Sequence, residues 1–497
     1  MELQTFKCAA HSRQRSERMC HLRCVRVAMC LIVLLGTCSG LFASGQTAAG
    51  RPAVLAGEWH GRVVLAGLQM RIVLKFEKKA GAEDYTGTLQ NLDQGGAPAP
   101  IQKLTVKSGT IHFEVVNGAI SWDGSANPTG TELEGKMKQG EQIAVLNFNR
   151  DPFVRPLRRP QLPKPPYPYT VQEANFRCKR TGSNIGGFLT LPKQVGPFPA
   201  VVLVGATPLV DHDETTSGHK PFLILADYLS EHGIAVLRLD GRGNGKTTGL
   251  YGTATPLDYS YDIEAGITYL KTRKDIIKTK IGLLGHGTGG AIASVIAIRS
   301  KDVAFIVMLS SPGVTGARNA PLQIEATLRA SGESEAIVSA CRRMDERLYK
   351  IITAEDDPDK AAPKLDAAFL DELKNAPPDT QKMLARLTLP VTRLIRSQWD
   401  FFFAKYDPAL VLQKVKCPVL AITGSRNLQY PISANVPAMS AAFKTGSNTD
   451  FQQKTLEGLN YMLQECKTGL PSEYVNIEQT LSPTVLKEIG SWVGARR

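Results

Sequence analysis

The sequence predicts an α/β fold: a mostly parallel sheet with helices on both faces and a helical cap, preceded by a small antiparallel β-barrel or sandwich. Three observations predict it. Unbroken apolar runs at 199–205, 234–240, 280–285, 303–309 and 417–423 are separated by helical stretches, and such runs are strands buried on both faces of a helix-covered sheet. Residues 52–150 instead carry short alternating runs divided by Gly, Asn and Asp turns, the pattern of a small antiparallel domain. Seven prolines in "PFVRPLRRPQLPKPPYPY" mark a boundary between the two.

The elements follow in order. Residues 1–45 read as a signal peptide. A basic stretch precedes the apolar run "VAMCLIVLLGTCSGLFA", and Ala43 and Gly45 supply small residues for cleavage. The body of the chain is then exported, periplasmic or secreted. The competing reading is a membrane anchor over residues 27–43. The true start could be Met1 or Met19.

Apolar content of 43% and charge of 21% describe a folded globular body. A net charge of +13 without a long Lys/Arg run beyond the N-terminus gives no nucleic-acid site. Five of the nine cysteines precede residue 39. The remaining four, Cys178, Cys341, Cys417 and Cys466, match no zinc spacing, and the sequence does not choose a disulfide pair among them.

The β domain occupies 52–150, with Trp59, Phe76, Trp122 and Phe148 as its expected core. The linker spans 151–170, stiff and extended. The α/β domain spans 171–497 and opens with a hairpin. Within it, about 316–410 lacks strand-like runs. "ESEAIVSACRRMDERLYKII" and "LDAAFLDELKNA" carry apolar residues at helical spacing, so this stretch is expected to cap the carboxyl ends of the strands.

The chemistry centres on "IGLLGHGTGG" (281–290), a buried strand entering a glycine turn and a helix. This is the frame of a Gly-x-Ser-x-Gly elbow, in which flanking glycines let helix and strand approach and a serine stands exposed at the tip. Gly285 and Gly289 hold the flanks, but the tip is Gly287. Glycine suits the strained backbone of such a tip and carries no nucleophile.

Several longer stretches extend the pattern: "GPFPAVVLVG", "GHKPFLILADYLSEHGIAVLRLDGRGNGKTTG", "DVAFIVMLSSPGV", "KCPVLAITGSRNLQYP" and "LEGLNYMLQECKTGLPSEY". On these motifs the mature chain resembles exported bacterial α/β-hydrolases of the serine aminopeptidase and prolyl-oligopeptidase-like group. The resemblance implies the α/β-hydrolase fold and acyl hydrolysis by a Ser, Asp, His triad. It assigns the nucleophile to Gly287. It assigns the acid to Asn427, where "GSRNLQ" stands for a Gly-Glu-Lys-Asp-Leu-Gln turn. It assigns the base to Tyr461, where "GLNYMLQ" stands for a Gly-Leu-Asn-His context. All three are vestigial positions. A count of histidines agrees: His60, His112, His212, His219, His232 and His286 follow the leader, and none lies between 287 and 497, where the base of this fold belongs. Tyrosine is a poor base at neutral pH. The oxyanion loop, "VGATPLVDHDE" (204–214), also departs from the family, with Pro208 lacking an N–H; its donor positions are Ala206, Thr207 and Thr288.

Other candidates read as structural. "DGRGNGKTTG" fails the phosphate-loop spacing, because Asp240 stands where a Gly is required. Asp211, His212, Asp213, Glu214 and His219 lack metal-site spacing, and no metal or cofactor is expected. His286 is expected to pack at the turn, and Ser310 and Ser311 to end a core strand. The expected function is that of a catalytically degenerate pseudoenzyme, binding a small molecule or protein in the cell envelope, and touching membrane only if the leader stays uncleaved. The alternatives are an active carboxylesterase or aminopeptidase-like enzyme rebuilt on Ser311 or Thr288 with His212 or His219, and a binding module centred on the β domain.

Overall fold

The computed structural model describes residues 55–496, apart from short stretches at 66–67, 79–84, 94–97, 108, 116–119, 128, 140–141, 153–157, 208–209, 250–253 and 385–397. The leader at 1–45, the residues 27–43 and Pro208 lie outside the described residues. No described helix is long and apolar enough to cross a membrane.

The first domain contains β1 (Gly57–Leu65), β2 (Leu68–Lys78), β3 (Tyr85–Asn91), β4 (Ala99–Lys107), β5 (Thr110–Val115), β6 (Ile120–Ala126), β7 (Glu132–Gln139), β8 (Gln142–Val145) and β9 (Phe148–Asn149). The strands run antiparallel in the order β6-β5-β4-β3-β2-β1-β9-β7, and β7 pairs back onto β6. The sheet is therefore a closed eight-stranded barrel, with β8 as a hairpin on β7. Closure removes the edges that an open sheet would expose.

The barrel interior is filled with side chains, as expected for this strand number. Trp59, Trp122, Phe76, Phe113 and Phe148 are all less than 2% exposed. Phe113 stacks on Trp122 at 5.5 Å. The polar atoms of both indoles are satisfied: Trp59 Nε1 donates to the Leu55 carbonyl and Trp122 Nε1 to that of Leu146, each at 2.8 Å. Gly124 and Gly135 pair across β6 and β7. A Cβ at either would collide with the Trp122 ring, so the ring lies over the space the two glycines leave.

Part of the linker is bonded to the second domain. Arg159 donates to the carbonyls of Ser217 at 2.8 Å and Ile477 at 2.9 Å. The Gln161 side chain pairs with the backbone of Thr480 and Leu481. These bonds strap residues 159–161 to the second domain.

That domain is built on β10 (Tyr169–Arg177), β11 (Asn184–Pro192), β12 (Phe198–Val204), β13 (Ala235–Leu239), β14 (Ile276–His286), β15 (Ile306–Leu309), β16 (Val419–Gly424) and β17 (Phe451–Leu456), in the order β10-β11-β13-β12-β14-β15-β16-β17. The leading hairpin is antiparallel, and every pairing from β13 onward is parallel. Strand side chains alternate between two cores. Ala200, Val202 and Val204 face α2 (Pro256–Thr272), α3 (Thr288–Arg299) and α9 (Ile432–Thr445). Val201 and Leu203 face α1 (Pro221–Glu231) and α11 (Pro483–Gly494). Burial on both sides is why these strands read as unbroken apolar runs. Local signals set helix starts: Thr255 and Asp258 form a reciprocal capping box at α2, with Pro256 at its first position.

Between β15 and β16 lie α4 (Gly316–Ala330), α5 (Glu335–Ala354), α6 (Pro358–Asn375), α7 (Gln398–Lys405) and α8 (Pro408–Leu412). Leu328, Val338, Met344, Leu348 and Leu365 form a core of their own. These helices fall within the stretch 316–410 that the sequence assigns to a cap. α10 (Pro471–Tyr474) lies in the loop after β17.

Candidate functional site

β14 ends at His286 and α3 begins at Thr288. Gly287 between them has φ 54° and ψ −126°, a conformation that strains any residue with a Cβ. The flanking glycines are contacts. A Cβ at Gly285 would collide with Gly289, one at Gly289 with the Val204 carbonyl, and one at Gly290 with Ser311. Strand and helix meet at backbone distance, which is the elbow geometry expected from "GLLGHGTGG".

The space above Gly287 belongs to Tyr461. A Cβ at 287 would collide with the Tyr461 hydroxyl. Tyr461 arrives on the loop after β17, as the base of this topology would, and its ring lies 4.4 Å from that of His286. Burial pushes its phenol well above the ordinary range, and Tyr430 and Glu214 push it further, so it stays protonated. Asn427, on the turn after β16, is buried and spends its amide locally. Its Nδ2 donates to Thr423 Oγ1 at 3.1 Å, and its Oδ1 accepts from the Tyr430 N–H at 3.0 Å. The structure joins Gly287 to Tyr461 directly and Asn427 to them through Tyr430, whose ring is 6.0 Å from that of Tyr461.

His286 and Glu214 form a buried pair beneath this tyrosine. His286 Nδ1 faces Glu214 Oε2, and Nε2 faces the Tyr461 carbonyl, each at 3.1 Å. Both ring nitrogens face acceptor oxygens, an arrangement that favours the doubly protonated imidazole. Burial lowers its pKa, but the charge and hydrogen bond of Glu214 outweigh burial and leave it raised. A histidine with both nitrogens protonated has no lone pair for a proton. The sequence expectation of packing and hydrogen bonding at the turn holds, and Glu214 is the partner that sequence reasoning did not identify.

Glu214 also reaches the oxyanion loop. Its Oε1 accepts from the Ala206 N–H at 2.8 Å, the donor that an acyl oxyanion would need. Thr288 Oγ1 donates to the Ala206 carbonyl, so this hydroxyl closes the loop. Thr207 sits beside it, half-buried.

The remaining candidates are engaged elsewhere. His212 Nδ1 meets Asp240 at 2.7 Å. His219 is fully buried between Thr480 and the Tyr474 carbonyl, and burial pushes it down to about 4. Ser311 donates to the Leu309 carbonyl at 3.2 Å. Neither candidate hydroxyl is bonded to either histidine among the described residues. Asp211 binds Thr215, and Asp213 binds Arg238 and Lys220. Among the described residues no cluster of three His, Cys, Asp or Glu is arranged for a metal. Cys178, Cys341, Cys417 and Cys466 are free thiols.

The strand order, the elbow and the helices interposed between β15 and β16 give this domain the α/β-hydrolase fold. Residues 220–402 match the family described as "Serine aminopeptidase, S33". Esterase EstD of Thermotoga maritima is 30% identical over 283 residues, covering 56% of this chain and 66% of EstD. Esterase FrsA of Serratia proteamaculans is 33% identical over 127 residues, covering 25% of this chain and 28% of FrsA. The chain thus spans just under two thirds of the first relative and about a quarter of the second. Among solved structures, an esterase of Pyrococcus furiosus superposes with a TM-score of 0.39 at 14% identity, covering 69% of this chain and 99% of that one. An α/β hydrolase, GrgF, from Penicillium does so at 0.38 and 16%, covering 59% and 91%.

Proposed function

We propose that this chain is a catalytically inert α/β-hydrolase homologue that binds a ligand or partner outside the cytoplasm. The observation that carries the reading is the Tyr461 hydroxyl standing where a nucleophile on residue 287 would grow. Two arrangements support it. Glu214 holds the Ala206 N–H, so a developing oxyanion would meet a fixed carboxylate instead of a free donor. His286 is held with its two ring nitrogens against Glu214 and a carbonyl, and neither nitrogen is turned towards residue 287 as a base. Loss of nucleophile and base together leaves at most weak residual catalysis. The basic and apolar leader supports export; amino-terminal sequencing of the mature protein, beginning at Gln46, tests that part.

The purified chain is expected to leave short p-nitrophenyl esters and aminoacyl naphthylamides intact and to resist a fluorophosphonate probe. Labelling of any serine would overturn the reading. The triple substitution Gly287→Ser, Asn427→Asp and Tyr461→His removes the blocking phenol and restores the triad residue types; esterase activity in that variant, absent from the parent, would mark an intact frame. Kinship to two proteins named esterases favours a second reading, an active hydrolase with a rebuilt site, and the same probe decides between them.

A further inference from the structure

The barrel wall closes through β9 but not through β8. β9 lies between two strands, with Gly61 of β1 opposite Phe148 on one side and Leu133 of β7 opposite it on the other. β8, just before it in the chain, pairs with β7 alone among the described residues. The Leu146 N–H donates to the Gly135 carbonyl of β7 at 3.0 Å. Backbone groups alternate sides along an antiparallel ladder. Ala144 therefore also faces β7, and the N–H and C=O groups of Ile143 and Val145 face the open edge.

Sheet edges are ordinarily guarded by charge, proline or a cover. The edges of the second domain follow that rule: β10 carries the exposed Glu173 and Arg177, and β17 carries Lys454. β8 has no charge and no proline, and its Ile143 and Val145 side chains are each 65% exposed. The charge on this face stands one strand back. Lys138 lies opposite Ile143 and Lys136 opposite Val145. Both lysines are exposed, and neither has an ionic partner among the described residues. On their far side, Ser121 faces Lys138 and is neutral. Asp123 faces Lys136 but is held by His112 Nδ1 at 2.6 Å.

We propose that the β8 edge docks an extended acidic segment of a partner protein, which adds to the barrel as a further strand. The open N–H and C=O groups select a polypeptide backbone, which supplies donors and acceptors at strand spacing. Lys136 and Lys138 select carboxylates within it. Ile143 and Val145 select aliphatic residues beside them. A lipid surface would leave the backbone groups of the edge unpaired. A second copy of this edge would set two lysines against two lysines. The inference concerns the outside of the barrel and stands whether or not the elbow is inert.

The test is calorimetric titration of the full chain with three capped peptides: EETVTVTEE, its charge-reversed form KKTVTVTKK, and the acidic form with both valines N-methylated. The acidic peptide is expected to bind saturably and at least tenfold more tightly than either of the others. Lys136→Glu combined with Lys138→Glu should weaken it at least tenfold and let the lysine peptide bind in its place. Ile143→Thr combined with Val145→Thr keeps strand-forming residues and adds no charge. That variant should weaken the acidic peptide severalfold, and it serves if the charge-reversed variant misfolds. No binding of the acidic peptide, equal binding of the lysine or N-methylated peptide, or unchanged affinity in the charge-reversed variant would overturn the inference. Two other outcomes would overturn it as well. One is a dimer in sedimentation that the Ile143→Thr, Val145→Thr variant abolishes, which would give the edge to a second copy. The other is binding to phosphatidylglycerol vesicles that the same variant abolishes and the acidic peptide does not compete, which would give it to a lipid surface.

Discussion

The barrel core and the tyrosines around the elbow and α5 are both aromatic, and they treat the polar atoms on those rings in opposite ways. In the barrel, the indole N–H groups of Trp59 and Trp122 each find a carbonyl at 2.8 Å, and both side chains are fully buried. The hydroxyls of Tyr349, Tyr430 and Tyr461, by contrast, find no protein partner among the described residues. An aromatic core closed for stability satisfies its polar handles. One that leaves them open is suited to an incoming group. The filled and satisfied barrel interior leaves no open polar group on Trp59 or Trp122 for a ligand to meet.

The comparison can be broken most forcefully in the barrel. Trp122→Ala should cost about 3–5 kcal/mol, read as a shift of the chemical denaturation midpoint, while ligand binding in molecules that remain folded is unchanged. A loss of binding out of proportion to unfolding would mean that the barrel interior takes part in recognition.

The second effect is one of pH. His219 is fully buried, and its pKa falls from 6.5 to about 4 through burial. The unfolded chain therefore takes up the proton first as pH falls. The stabilisation is present above pH 6.5 and is lost as pH drops towards 4. A shift of this size corresponds to about 3 kcal/mol. Denaturation curves between pH 7 and 4 should show the decline, and His219→Gln should flatten it.

A smaller effect probes the elbow. Gly287→Ser places a Cβ at φ 54° and against the Tyr461 hydroxyl, and should cost about 2 kcal/mol. Combining it with Tyr461→Ala should give back at least about 1 kcal/mol relative to additivity in a double-mutant cycle. Strict additivity would show that the phenol does not occupy this space.

The smallest effects sharpen the contrast most. Trp59→Phe strips a bonded N–H from the barrel and leaves the Leu55 carbonyl unpaired, at about 1–3 kcal/mol. Tyr430→Phe removes a hydroxyl with no partner and should change stability by less than about 0.5 kcal/mol. Equal losses at the two positions would erase the distinction between them.

Much of this was legible in the sequence, because it depends on short-range pattern. Unbroken apolar runs announce strands covered on both faces, and Val201 to Val204 divide between two cores as that pattern requires. The glycines of "GLLGHGTGG" announce a tip that tolerates positive φ, and Gly287 has it. The absence of any histidine after 286 is a matter of counting.

What tertiary structure alone decided are the contacts that join distant parts of the chain. The barrel closes because β6 pairs with β7 while β1 pairs with β9, and alternation by itself allowed a sandwich equally well. Glu214 takes the Ala206 N–H and the His286 ring because the loop after β12 folds back over the elbow. Tyr461 fills the space over Gly287 from a loop 174 residues further along the chain. Local propensity and periodicity fix which residues are strand, helix or turn. They carry no information about which side chain crosses the sheet's edge to meet another, and here that meeting decides what the site can do.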